Sequence, residues 1–110
     1  MAIYLVQARY TPAAYQGMLD APHDRGEAAK TLFKSLGIKT REIMFSMANG
    51  EIVCLLEGSA EQITEAEMIT MASGGFSQIR AQELMTTKDM LVAMKSAGAK
   101  AAKYAAPNKK

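Results

Sequence analysis

Between Lys39 and Glu57 the chain reads KTREIMFSMANGEIVCLLE. Lys39 to Met47 alternates polar with apolar residues, the period of a strand with two unlike faces. Ile52 to Glu57 is a compact apolar run, and Ala48-Asn49-Gly50-Glu51 between them contains Asn-Gly, the strongest short-range hairpin signal. Two strands joined by a turn in mid-chain need the rest of a sheet around them.

Upstream, Ile3 to Tyr10 is rich in β-formers and alternates, so it reads as a first strand. Thr11-Pro12 starts a helix, Thr as cap and Pro at the first helical position, and Pro22 keeps it short by restricting Ala21. Asp24-Arg25-Gly26-Glu27 is a capping-box pattern, in which each side chain satisfies an orphan amide of the other. Ala28, Ala29, Leu32, Phe33 and Leu36 then share one helical face, and Gly37 suits the left-handed stop. Downstream, Ser59 with Gln62 opens a helix with Ile63, Ala66, Ile69 and Met71 available for burial. Gly74-Gly75 ends it, Phe76 to Met85 reads as a fourth strand, and Thr86-Thr87-Lys88-Asp89 begins a last helix carrying Met90, Leu91, Ala93, Met94 and Ala97. The order is β-α-β-β-α-β plus a terminal helix, the ferredoxin-like α+β pattern: a four-stranded antiparallel sheet with helices on one face. Residues 1–97 are expected to form the domain and 98–110 a basic Ala/Lys-rich tail that frays.

Alternation sorts the strand residues into two faces. Tyr4, Val6, Ala8, Ile43, Phe45, Met47, Ile52, Cys54, Leu56, Ile79 and Ala81 are almost wholly apolar and belong under the helices. The other face collects Ile3, Leu5, Gln7, Arg9, Thr40, Glu42, Met44, Ser46, Val53, Leu55, Phe76, Gln78, Arg80, Gln82 and Leu84. It is too apolar to stay wet on a small monomer. Burying each large apolar side chain is worth roughly 1.5–3 kcal/mol, so covering even a few offsets much of the cost of association. Sheet-on-sheet pairing with a second copy is the simplest cover. The polar residues of this face would then need partners, water or a ligand.

Bulk properties exclude several classes. At 110 residues the chain holds one modest core. No apolar run approaches the roughly 20 residues that span a bilayer, and Met1-Ala2-Ile3-Tyr4-Leu5-Val6-Gln7 lacks the features of a secretory signal, which predicts a cytoplasmic protein. Cys54 is the single cysteine, so an internal disulfide framework is excluded. Net charge is +2, and Lys95, Lys100, Lys103, Lys109 and Lys110 supply the excess from the C-terminal end. Neither nucleic acid nor membrane is expected as a partner, since the body carries no basic face and the sequence Ile52-Val53-Cys54-Leu55-Leu56 lacks the aromatics of RNA-binding sheets. His23 is the single histidine, which excludes a histidine triad or multi-histidine metal site within one chain. It reads as a solvated residue at a helix start. No metal and no cofactor is implied. Cys54, inside the most apolar strand, reads as inert core.

Tyr10-Thr11-Pro12 after the first strand, Asp24-Arg25 followed by Glu27-Ala28-Ala29, Leu36-Gly37 before the second strand, Gly74-Gly75, and Ile79-Arg80 together resemble the GYD-domain family over residues 3 to about 94. The resemblance implies a small bacterial protein of the dimeric α/β-barrel type, without an established activity. Where the family carries its Gly-x-Tyr-Asp turn, this chain has Ala48-Asn49-Gly50-Glu51, keeping the acidic group as Glu51 and lacking the tyrosine. The leading expectation is a homodimer or higher homo-oligomer that binds a small anionic or aromatic molecule inside the barrel, its candidate pocket formed by Gln7, Arg9, Tyr10, Glu42, Met44 and Arg80. Related barrels imply a first alternative, a cofactor-independent oxygenase or isomerase acting on a small aromatic or enolisable substrate, with Arg9, Tyr10 or Glu42 moving a proton or stabilising an oxyanion. A second alternative is a purely structural assembly domain.

Overall fold

Four strands and four helices follow one another in a computed structural model that describes residues 2–108. Met1 and the tail residues Lys109 and Lys110 lie outside the described residues. The elements are β1 (Ala2–Tyr10), α1 (Pro12–Asp20), α2 (Arg25–Ser35), β2 (Lys39–Ser46), β3 (Glu51–Gly58), α3 (Ala60–Ala72), β4 (Phe76–Leu84) and α4 (Thr87–Lys100), with a 3-10 turn at Ala101–Lys103. The sheet order is β2-β3-β1-β4 and every pairing is antiparallel. This is the ferredoxin-like α+β arrangement.

The starts and stops follow local chemistry. Thr11 accepts from the Ala14 amide and donates to Gly74 O, so one hydroxyl caps α1 and ties it to the loop before β4. Ser59 and Gln62 form a complete capping box on α3. At α2 only half of the expected box forms. Asp24 accepts from Gly26 N and Glu27 N at 2.8 and 3.3 Å, while the Glu27 carboxylate turns out to Lys30 at 3.6 Å. Gly37 stops α2 at φ 77°. The hairpin turns through Met47–Gly50, a longer loop than the Asn-Gly dipeptide alone suggests: Asn49 keeps a negative φ and only Gly50 is left-handed, at φ 64°.

Tyr4, Ala8, Tyr10, Phe33, Ile38, Ile52, Cys54, Leu56, Ile63 and Ala66 are the buried core between the sheet and α2 and α3. Ile69 and Met71, expected in that core, are exposed; the inward line of α3 runs Ile63, Ala66, Thr70, at spacings of three and four. Met47, expected under the helices, sits in the turn in full solvent.

Two bulges overturn part of the face assignment. Thr40 pairs with Leu56 and Glu42 with Leu55, so Arg41 is the extra residue and Thr40 faces the helices. Tyr10 pairs with Phe76 and Arg9 with Gln78, so Ser77 is extra and Phe76 also faces the helices, where it packs against the core. A bulge reverses the alternation beyond it, which strict period-2 counting cannot detect. The terminal helix runs through Gly98 to Lys100, past the expected domain limit at residue 97. Every residue of α4 is exposed, and the chain extends 63 Å along its longest axis with a radius of gyration of 18.6 Å, against roughly 13 Å for a compact chain of this length. The helix projects from the body.

Candidate functional site

The sheet face away from the helices reads as four rows across β2, β3, β1 and β4. They are Ser46–Glu51–Arg9–Gln78, Met44–Val53–Gln7–Arg80, Glu42–Leu55–Leu5–Gln82 and Lys39–Glu57–Ile3–Leu84. Its apolar part is Ile3, Leu5, Val53 and Leu55, half-buried by their own neighbours, with Met44 and Leu84 exposed. Nothing among the described residues covers this face.

The polar groups gather at the end where β1 stops. Glu51, first residue of β3, is only 1% exposed and is the one buried charged residue among those described. Arg80 reaches diagonally across β1 and places Nη2 3.0 Å from Glu51 Oε1 and 3.3 Å from Oε2, while its own side chain stays 53% exposed. A buried carboxylate needs such a donor, since an unpaired one costs several kcal/mol, roughly 3–5. Arg9 stands in register beside Glu51, yet no carboxylate pairs with it among the described residues. At the far end Arg41, turned out by the bulge, lies 3.1 Å from Glu57.

Of the six pocket residues expected from sequence, Gln7, Met44 and Arg80 share one row, and Arg9 lies one row on. Glu42 is on the same face but two rows from Arg9 and on the edge strand, separated by about 16 Å from strand spacings of roughly 4.8 Å and a rise of roughly 3.3 Å per residue. Tyr10 is elsewhere. It follows Tyr4, Val6 and Ala8 onto the helix face, where it stacks on Phe76 at 5.0 Å and meets Tyr15 edge-on at 5.8 Å. Burial pushes its hydroxyl pKa up, and the adjacent Arg25 guanidinium pulls the other way. Arg9, Tyr10 and Glu42 therefore do not converge within one chain. Glu51 escaped the sequence reading because it was counted with the turn; the signal available was that it occupies the acidic position of the family's turn.

Cys54 is 3% exposed and its thiol is pushed up to about 12 by desolvation, which makes it inert near neutral pH. No group of three His, Cys, Asp or Glu able to hold a metal ion occurs among the described residues. No described helix is long and apolar enough to cross a membrane.

The family model of the GYD domain matches residues 4–94. The chain belongs to the GYD-domain family. Among solved structures, the GYD chain is similar to the C-terminal domain of the MgtC protein from Mycobacterium tuberculosis, with 13% identity and a TM-score of 0.53, over 76% of this chain and 88% of that one. That likeness supports the fold. Two structures of protein Atu4242 from Agrobacterium tumefaciens also match: one with 16% identity and a TM-score of 0.46, over 77% and 92% of the two chains; the other, described as a nipsnap family protein with unknown function, with 17% and 0.44, over 76% and 86%. No curated protein matches the chain.

Proposed function

We propose that this GYD domain works as a homodimer whose two open sheet faces close on each other, forming a barrel that holds a small anion. The observation that carries this reading is the buried Glu51 carboxylate paired with the half-exposed Arg80 at the edge of an uncovered apolar face, with Arg9 beside it and lacking a counter-charge among the described residues. Pairing two copies covers the part of Ile3, Leu5, Val53 and Leu55 still open to water and the exposed Met44, each a fraction of the roughly 1.5–3 kcal/mol of full burial, to set against the cost of association. The exposed Met90, Leu91 and Met94 of the projecting α4 supply further apolar surface for the second copy. Inside the closed barrel, Arg9 of each copy is the cation left over. A ligand with a carboxylate or phosphoryl group meets that charge, while Gln7 and Gln78 offer hydrogen bonds from adjoining positions. The free thiol of Cys54 supports a reducing, cytoplasmic setting.

Sedimentation equilibrium tests the assembly: wild type is expected to be dimeric at micromolar concentration and Leu5→Glu monomeric. Thermal shift across a panel of anionic metabolites tests the interior, because a ligand of the native state raises Tm by mass action. Arg9→Gln is the informative variant, since Arg80 also serves Glu51. A wild type that sediments as one subunit, or a panel that moves wild type and Arg9→Gln alike, overturns the reading.

A further inference from the structure

On the opposite side of the sheet, where β1 ends, lies a cleft of about 410 Å³, within the roughly 300–1,000 Å³ usual for small-molecule sites. Tyr10, Tyr15 and Phe45 supply its aromatic walls, and His23 and Arg25 line its mouth. It adjoins an apolar cavity of about 100 Å³ under α2 and α3, with Tyr10, Arg25 and Ile52 common to both. The mouth is polar and the depth apolar.

A count of the polar groups shows what is left over. Asp24 is committed to the amides of Gly26 and Glu27. The Tyr15 hydroxyl donates to Gly50 O at 3.2 Å. Arg25 Nη1 lies 2.8 Å from His23 Nε2; because a guanidinium only donates, Nε2 must accept, and the other ring nitrogen carries the proton given to Ala21 O at 2.8 Å. Both histidine nitrogens are thus used in holding Arg25. Arg25 itself is half-buried and lies against the His23 ring and the Tyr10 hydroxyl; Asp24 lines the same cleft and Glu67 the adjoining cavity, but neither carboxylate forms an ion pair with Arg25 among the described residues. A cation withdrawn from water without a counter-charge favours the arrival of an anion. Its planar fork matches a carboxylate, while the aromatic walls and the apolar depth suit a flat hydrocarbon body.

We propose that this cleft binds a small aromatic monocarboxylate, its carboxylate on Arg25 and its ring against Tyr15 and Phe45, reaching toward the apolar cavity. One cation without further donors suits a single negative charge rather than a phosphate. The site lies on the other face of the sheet from the barrel interior and shares with it only Met44, on the edge strand β2.

Backbone NMR titration with trans-cinnamate, neutral cinnamamide and inorganic phosphate tests this. Cinnamate is expected to shift the amides of Arg25, Gly26 and Phe45 saturably, and cinnamamide to bind about tenfold or more weakly, the worth of one charge-assisted contact. Arg25→Gln is expected to weaken cinnamate by the same factor and leave cinnamamide unchanged, while Lys34→Gln, an exposed cation in the last turn of α2, leaves both unchanged. Equal binding of acid and amide, phosphate binding as tightly as cinnamate, or shifts centred on Arg9 and Arg80 each overturn the proposal. The acid–amide comparison on wild type decides the matter even if Arg25→Gln fails to fold.

Discussion

Replacing Arg80 with methionine keeps most of its stem and removes the only side-chain hydrogen-bond donor to the Glu51 carboxylate among the described residues. Stripping the partner from a fully buried ion costs roughly 3–5 kcal/mol. Arg80 is itself half exposed, so water enters the vacated space and returns part of that cost; the expected loss is about 2 kcal/mol, the range of one charge-assisted hydrogen bond. For a domain of this size that is a fall in Tm of about 10 °C. Urea unfolding followed by far-UV circular dichroism, at one fixed protein concentration to hold any association constant, measures it. The double variant Glu51→Gln/Arg80→Met removes both charges and is expected to recover about 1 kcal/mol or more, a coupling that only touching groups show. If Arg80→Met stays within about 0.5 kcal/mol of wild type at unchanged m, the carboxylate has another source of stabilisation and the central role given to this pair is wrong.

Alkaline titration probes the core. Cys54 rises from 9.0 to about 12 and Tyr10 shifts in the same direction from 10.0 on folding, so the native state holds these protons more tightly than the unfolded chain. Stability is therefore expected to be independent of both groups below pH 9 and to fall as pH rises from there toward 12; a Cys54→Ala variant whose alkaline decline matches wild type would count against the thiol's part in it. In the hairpin, Gly50→Ala meets both a left-handed φ of 64° and the Tyr15 hydroxyl 2.9 Å from the added methyl, for an expected loss of about 1–2 kcal/mol. Tyr15→Phe in the same background is expected to relieve the contact but not the backbone strain, so urea unfolding of the pair should show partial recovery only.

Much of the architecture was legible in local chemistry. Thr11-Pro12, Asp24, Gly37, Ser59 with Gln62, and Thr86 each act within three or four residues, and each marks a helix end where the sequence places it. The apolar character of the outer sheet face was legible too, because Leu5, Val53 and Leu55 lie in uninterrupted stretches of alternation. The candidate sites were less so. Gln7, Arg9, Met44 and Arg80 could be grouped by parity, but Tyr10 could not be assigned with them: its parity with Ala8 puts it on the helix face, beside Phe76.

What the amino-acid order alone determined is the sequence of elements, their caps and the greater part of each strand's two faces, since these depend on spacings of two to four residues. Only the tertiary structure decided the two bulges that turn Thr40 and Phe76 inward, the reach of Arg80 to Glu51, and the meeting of Arg25 with Tyr10. Each of those depends on how neighbouring elements align. A one-residue offset in strand pairing reverses a side chain's face at no change in composition, and pairs separated by 29 positions, as Glu51 and Arg80 are, leave no periodic trace along the chain.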